Sequence, residues 1–233
     1  MTKYFQRPLS LLTATLFLLS SSACFAKNDE KVQASKKNFS QTSLNVMALL
    51  NQMHYKKQPF DNVLSNNLLT AFLEKIDPNK RIFLASDIKE FEKFASTLDD
   101  ELRKGGTTSA FIIYERYQQR IENRYSYIID LFKANKFDFT IDESIPLNRD
   151  TWPINLQDSD EFWRKLAKTS IIENILGEED KTQKEIAEEL VERYENYLSQ
   201  IKLTKPEDIY ENYITAVGSL FDPHTSYFTP ISE

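Results

Sequence analysis

Apolar residues recur at intervals of three and four along most of the chain, which is the spacing of one face of an α-helix. The clearest stripes are Val63, Leu64, Leu68, Phe72 and Ile76; Ile88, Phe91, Phe94, Leu98 and Leu102; Tyr114, Tyr117, Ile121, Tyr125, Ile128 and Phe132; Phe162, Leu166 and Thr169; Ile186, Leu190, Tyr194, Tyr197 and Ile201; and Ile209, Tyr213, Val217 and Leu220. A weaker stripe runs through Val46, Leu50 and Met53. The pattern predicts an all-α domain of about seven irregularly packed helices.

Residues that favour helix starts support these boundaries. Thr182 with Glu185 and Thr204 with Glu207 fit the capping box, and Asp61, Ser86 and Asp158 are suitable N-caps. The pair Gly105-Gly106 predicts a loop that closes the third helix. The helical pattern lapses between Phe137 and Leu156, where apolar residues alternate and two prolines occur. This stretch predicts one long, partly extended connection with a short strand, packed down by Trp152.

One turn pattern occurs twice, in "IDPNKRIFLA" (Ile76 to Ala85) and in "FDPHTSYFTP" (Phe221 to Pro230). Proline ends a helix sharply, and the preceding aspartate can accept N–H groups two or three residues further on. Asp77-Pro78 and Asp222-Pro223 therefore predict two helix-ending turns. After the first turn the pattern predicts a new helix, whereas little chain comes after the second, so the second predicts a hinge toward a missing part.

The N-terminus has the pattern of a Sec-type signal peptide over residues 1–26, with a basic start, an apolar core and small residues before a cleavage point after Ala26. Two alternatives remain open: a retained membrane anchor, and a lipoprotein modified at Cys24. Residues 27–40 are polar and are expected to be disordered. Export places the protein in the periplasm, with inner-membrane association if the signal is retained.

Composition limits the possible partners and chemistry. The chain has 233 residues, 41% hydrophobic and 27% charged, with a net charge of −6, which disfavours binding to nucleic acid. Cys24 is the only cysteine, and His54 and His224 lie far apart, so no zinc-ligand spacing occurs. His224 is a candidate general base, but its place after Asp-Pro favours a turn residue. We expect no catalytic residue, metal or cofactor in this chain.

The second turn carries a family resemblance. "DPHTSYFTP", with Asp222, Pro223, His224, Thr225 and Tyr227, resembles the segment that precedes the PDZ domain in C-terminal processing serine proteases, the tail-specific protease family. Four upstream stretches are similar to the N-terminal helical domain of that family: His54 to Phe91, Asp100 to Gly105, Glu115 to Tyr127 and Trp152 to Trp163. The resemblance covers His54 to the last residue.

The resemblance implies a division of labour within the family. The PDZ domain binds the nonpolar C-terminus of a substrate, and a serine nucleophile with a lysine base cuts it; both lie downstream of the matching motif. Residues 41–221 are then the helical scaffold or docking domain, and residues 222–233 are a linker to absent PDZ and peptidase regions. The expected partners are the rest of the protease and a periplasmic adaptor lipoprotein, and this truncated chain is expected to be inactive alone. The alternative is a free-standing secreted helical interaction module.

Overall fold

A computed structural model describes residues 39–146, 149–177 and 180–229, and within these ranges the chain forms eight α-helices and no strand. The helices are α1 (39–53), α2 (Asn62–Ile76), α3 (Ala85–Phe91), α4 (Leu98–Arg103), α5 (Thr108–Ala134), α6 (Leu156–Gly177), α7 (Gln183–Lys202) and α8 (Pro206–Phe221), with a 3-10 turn at Glu92–Phe94. The predicted all-α class is confirmed. No helix of the described part is long and apolar enough to cross a membrane.

The extra helix arises from a break in the second predicted stripe. The stretch from Ile88 to Leu102 forms α3, the 3-10 turn and α4 instead of one helix. Ser96 and Thr97 disfavour a helix interior, and α4 starts where a long-range contact fixes it. The Ser65 hydroxyl of α2 accepts the Asp99 N–H at 2.8 Å and donates to the Asp99 carboxylate at 2.6 Å. This buried contact sets the start of α4.

The described residues form two neighbouring hydrophobic cores, and α5 contributes to both. The first core contains residues of α1, α2, α4 and α8, and Ile113 of α5 lies in it. The second core contains residues of α6 and α7, and Ile128 and Phe132 of α5 lie in it. At 1.5 Å per residue, a helix of 27 residues is about 40 Å long, which is enough to span both.

Helices α2 and α8 pack antiparallel in the first core. The Phe60 ring, just before α2, lies 5.6 Å from the ring of Phe221 at the end of α8. Further along, Phe72 of α2 meets Tyr213 of α8 at 5.2 Å. The end of α2 at Asp77 therefore lies toward the start of α8, and the two Asp-Pro turns are at opposite ends of this helix pair.

A buried ion-pair cluster ties α3 to α5. The Asp87 carboxylate accepts bonds from Arg116 at 2.6 Å and from Arg120 at 2.8 Å. Burial raises the pKa of Asp87, but the bonds from Arg120, from the Leu84 N–H and from Arg116 outweigh it and leave the pKa lowered. The carboxylate therefore stays charged, and α3 keeps its place against α5.

Two of the predicted helix starts are confirmed. The Asp61 carboxylate accepts the N–H groups of Val63 and Leu64, both at 3.0 Å. Thr182 and Glu185 form the predicted capping box at the start of α7. The glycine pair also ends α4 as predicted, with Gly105 at a φ of 75°.

Three predicted starts are wrong, because another residue takes the capping role. Helix α3 begins before Ser86, and Asp87 accepts the Leu84 N–H instead. Helix α6 begins before Asp158, whose own N–H is accepted by the Asn155 side chain. Helix α8 begins at Pro206 rather than after Thr204, because proline suits the first helical position and Asp208 accepts the Lys205 N–H.

Some predicted details of burial and disorder are also wrong. Val63 and Met53 are 66% and 77% exposed, because the packed faces of α2 and α1 lie to one side of them. Helix α1 includes Phe39 and Ser40, the last two residues of the stretch 27–40 that was predicted to be disordered, and the rest of that stretch lies outside the described residues. The described parts of the connection contain no strand, although Trp152 packs against the first core as predicted.

Candidate functional site

The first Asp-Pro turn is part of the packed interior. The Asp77 carboxylate is 2% exposed and accepts the backbone N–H groups of Arg81 at 2.9 Å and of Ile82 and Phe83 at 3.1 Å. Its fourth donor is the indole Nε1 of Trp152, at 3.0 Å. The bonds reach four to six residues along the chain, further than the predicted two or three. This turn therefore organises the segment that enters α3.

The second turn lies at the surface at the end of α8. One oxygen of the Asp222 carboxylate accepts the His224 N–H at 2.7 Å, as a turn of this kind predicts. The other oxygen accepts the phenol of Tyr55, from the loop between α1 and α2, at 3.0 Å. The His224 N–H and then the Tyr55 bond lower the pKa of Asp222, while the same contact raises the pKa of Tyr55.

The loop after α1 holds the end of α8 through two further contacts. The Lys56 ammonium donates to the Leu220 carbonyl at 2.8 Å, where a cation suits the negative end of a helix. The His54 ring stacks on Tyr55 at 4.6 Å and meets the edge of Phe221 at 5.5 Å. Three successive residues therefore anchor the point where α8 ends.

After the turn, residues 225–229 run back along α8 as an extended segment. The Thr215 hydroxyl accepts the Tyr227 N–H at 3.1 Å and donates to the Tyr227 carbonyl at 3.2 Å. One turn of helix earlier, the Glu211 carboxylate accepts the N–H and the hydroxyl of Thr229 at 2.9 and 2.8 Å. We call residues 225–229 the exit segment.

The approach of the exit segment to α8 depends on a glycine. A Cβ atom on Gly218 would lie 2.8 Å from Cγ2 of Thr225, closer than real Cβ contacts allow. Beyond this point the Tyr227 ring packs edge-on against Tyr210 at 5.6 Å. The segment is therefore held by both hydrogen bonds and ring packing.

The residues of the second Asp-Pro motif lie together in the structure, and the first motif lies far from them. Asp222, Pro223, His224, Thr225 and Tyr227 occupy one end of α8, whereas Asp77 and Pro78 lie at the opposite end of the helix pair. The predicted cleavage point at Ala26 and the lipidation candidate Cys24 lie outside the described residues. Among the described residues, no group of three or more His, Cys, Asp or Glu side chains could hold a metal.

Sequence reasoning missed Glu211 and Thr215, which bind the exit segment, and Tyr55 and Lys56, which hold the end of α8. The only available signal was that the family resemblance begins at His54, next to Tyr55. Together these residues can fix the direction in which the chain leaves the helical body.

The described residues form an all-α domain in which the extended segment after α8 is anchored along that helix. The model of the tail specific protease N-terminal domain matches residues 46–231, which includes the exit segment. The chain belongs to this family.

A bacterial relative agrees with the match. The tail-specific protease of Haemophilus influenzae is 32% identical over 184 residues, which cover 78% of this chain and 26% of that protein. The chain thus spans about a quarter of the length of the curated relative.

Proposed function

We propose that this chain is the N-terminal scaffold and docking domain of a periplasmic C-terminal processing serine endopeptidase. The family match and the similarity to a tail-specific protease support the assignment. In this proposal, substrate binding and peptide-bond cleavage belong to PDZ and peptidase domains that come after the helical domain. The role of the helical domain is to hold those domains in a productive arrangement.

The anchored exit segment is the observation that carries the proposal. A flexible linker would leave the following domain free to reorient. Correct orientation of the substrate and the catalytic groups supplies a large part of an enzyme's rate enhancement. Here Glu211 and Thr215 bind the exit segment to α8, and Tyr55 and Lys56 hold the end of that helix. A domain attached beyond residue 229 would therefore leave the helical body in a defined direction.

The docking role concerns the other half of the domain. The second core, built from α5, α6 and α7, takes no part in the hydrogen bonds that hold the exit segment. In the proposal this half is available to an adaptor lipoprotein of the periplasm while the exit segment serves the protease. Export by a signal peptide ending at Ala26 belongs to the same proposal, and the intact mass of the periplasmic protein tests it.

A hybrid enzyme tests the scaffold role. Residues 46–231 replace the matching segment of the Haemophilus influenzae tail-specific protease, and cleavage of a peptide with an apolar C-terminus is measured. We expect an active hybrid, an inactive isolated chain, and activity at least about tenfold lower when Glu211→Ala and Thr215→Val loosen the exit segment. Glu192→Ala, at an exposed position of α7 away from the exit segment, is the control.

Two results would contradict the proposal. An enzyme that lacks the whole helical domain and still cleaves as fast as the hybrid needs no scaffold. Cleavage by the isolated chain, abolished by replacing one of its own serines, would show that the active site is here.

A further inference from the structure

A cavity of about 250 Å³ lies between the first Asp-Pro turn and helices α5, α6 and α7. Tyr117, Tyr125, Tyr194, Tyr197 and Trp163 line it together with Arg81. None of the contacts that hold the exit segment involves these side chains. The cavity is therefore separate from the anchor at the end of α8.

Aromatic rings pack against each other around this cavity and form stiff walls. Tyr125 meets Tyr194 edge-on at 5.3 Å and Trp163 at 6.0 Å, and Tyr194 meets Tyr197 edge-on at 5.8 Å. Edge-to-face pairs at such distances are favourable beyond the area they bury. The walls are therefore already formed without a ligand.

Three phenol groups of the cavity have no hydrogen-bond partner within the described ranges. They are those of Tyr117, Tyr125 and Tyr194. Burial raises the pKa of all three, and that of Tyr194 to about 12, so they remain protonated donors at neutral pH. Water still reaches these hydroxyls, since none of them is among the buried polar atoms that lack a partner, so a ligand that offers acceptors can replace that water.

The charges at the cavity favour a neutral ligand. Arg81 lies on one side, with its guanidinium carbon 5.3 Å from the centre of the Phe162 ring. The Asp77 carboxylate lines the same cavity and is already occupied by four N–H donors. One positive and one negative group select neither an acidic nor a basic ligand.

We propose that this cavity binds a proline-containing peptide segment of another protein in the polyproline II conformation. The backbone carbonyls of that conformation have no internal partner, and aromatic-lined grooves commonly take it. The phenols supply donors to the carbonyls, and the rings pack against proline. The cavity is smaller than the roughly 300–1,000 Å³ typical of small-molecule sites, which suits one or two side chains of a peptide.

Titration calorimetry of the full purified chain tests the binding itself. The probe is a polyproline peptide of about ten residues with blocked ends, about 31 Å long at 3.1 Å per residue. A blocked glycine-serine peptide of equal length is the matched control. We expect saturable binding of the polyproline peptide only. No binding of it at millimolar concentration, or equal binding of the control, would overturn the proposal.

Variants tie the binding to the cavity. The double variant Tyr125→Phe and Tyr194→Phe keeps both rings, and loss of two donors should weaken binding about tenfold. Tyr127→Phe lies on α5, like Tyr125, but outside the cavity lining, and this variant should bind like the original chain. Tyr197→Ala removes an exposed part of the wall and should also weaken binding. Unchanged affinity in both cavity variants, with thermal melts showing a folded chain, would place the peptide elsewhere.

Discussion

The two Asp-Pro turns share one sequence pattern but occupy very different surroundings. Asp77 is buried with four N–H donors on its carboxylate, whereas Asp222 is partly exposed with two donors. Phe83 after the first turn is completely buried, while Phe228 after the second is 77% exposed. The first turn joins two elements of the core, and the second releases the chain along the outside of α8.

The comparison shows what a repeated motif does and does not encode. Both turns end a helix and use the aspartate as an acceptor, since proline and aspartate act on their immediate neighbours. The path of the chain after each turn depends instead on the helix that the turn faces. Three predictions test the difference between the turns, beginning with the largest expected effect.

Removing the two carboxylates should affect stability very unequally. Asp77→Ala leaves four donors in the interior without an acceptor and should lower the free energy of unfolding by about 3–4 kcal/mol. Asp222→Ala exposes its donors to water, so the global stability should change far less. Urea unfolding of the full chain measures both. Equal losses would mean that the second turn is as deeply integrated as the first.

Backbone amides should exchange with solvent at different rates in the two turns. Amides from Ile82 to Leu84 lie in buried structure, whereas those from Tyr227 to Thr229 are held by two side chains of α8. We expect exchange about 100-fold faster in the second group, a difference of about 2.7 kcal/mol in opening free energy. Comparably slow exchange in both groups would mean that the exit segment is as well protected as the first turn, and the expected difference between the turns would be wrong.

Acid should loosen the second turn and the exit segment that follows it. This effect should be the smallest of the three, because the carboxylates of Asp222 and Glu211 are near solvent. The N–H of Thr229 and then its hydroxyl lower the pKa of Glu211 in the folded chain. The contact therefore contributes stability above the unfolded pKa of about 4.3, and this is lost as pH falls through the folded pKa. Asp222, whose pKa is also lowered, acts in the same direction.

Limited proteolysis between neutral pH and about pH 3 with an acid-active protease measures this loosening. Glu211→Gln is the control, because it keeps an acceptor oxygen but does not titrate, so cleavage in the exit segment should depend less on pH. An identical acid response in the two chains would assign the effect to another group.

Much of the helical architecture could be predicted, because a repeating apolar face is a local property. The stripe of α5 and the capping box at Thr182 are confirmed for that reason. The break between α3 and α4 could not be predicted, since Ser65 of α2 fixes Asp99 from 34 positions away. Prediction of the site was similarly partial: the motif residues were identified, but their partners in α8 were not.

By itself the sequence determined the fold class, both turns and the resemblance to a family, all of which depend on residues close together in the chain. The tertiary structure alone decided which turn is buried. Trp152 reaches Asp77 across 75 positions, and Tyr55 reaches Asp222 across 167. Local spacing does not encode which distant side chain will approach a carboxylate. The packing of the helices into two cores decides which side chain approaches each carboxylate. It therefore also decides that the first turn is buried and that the second lies at the surface.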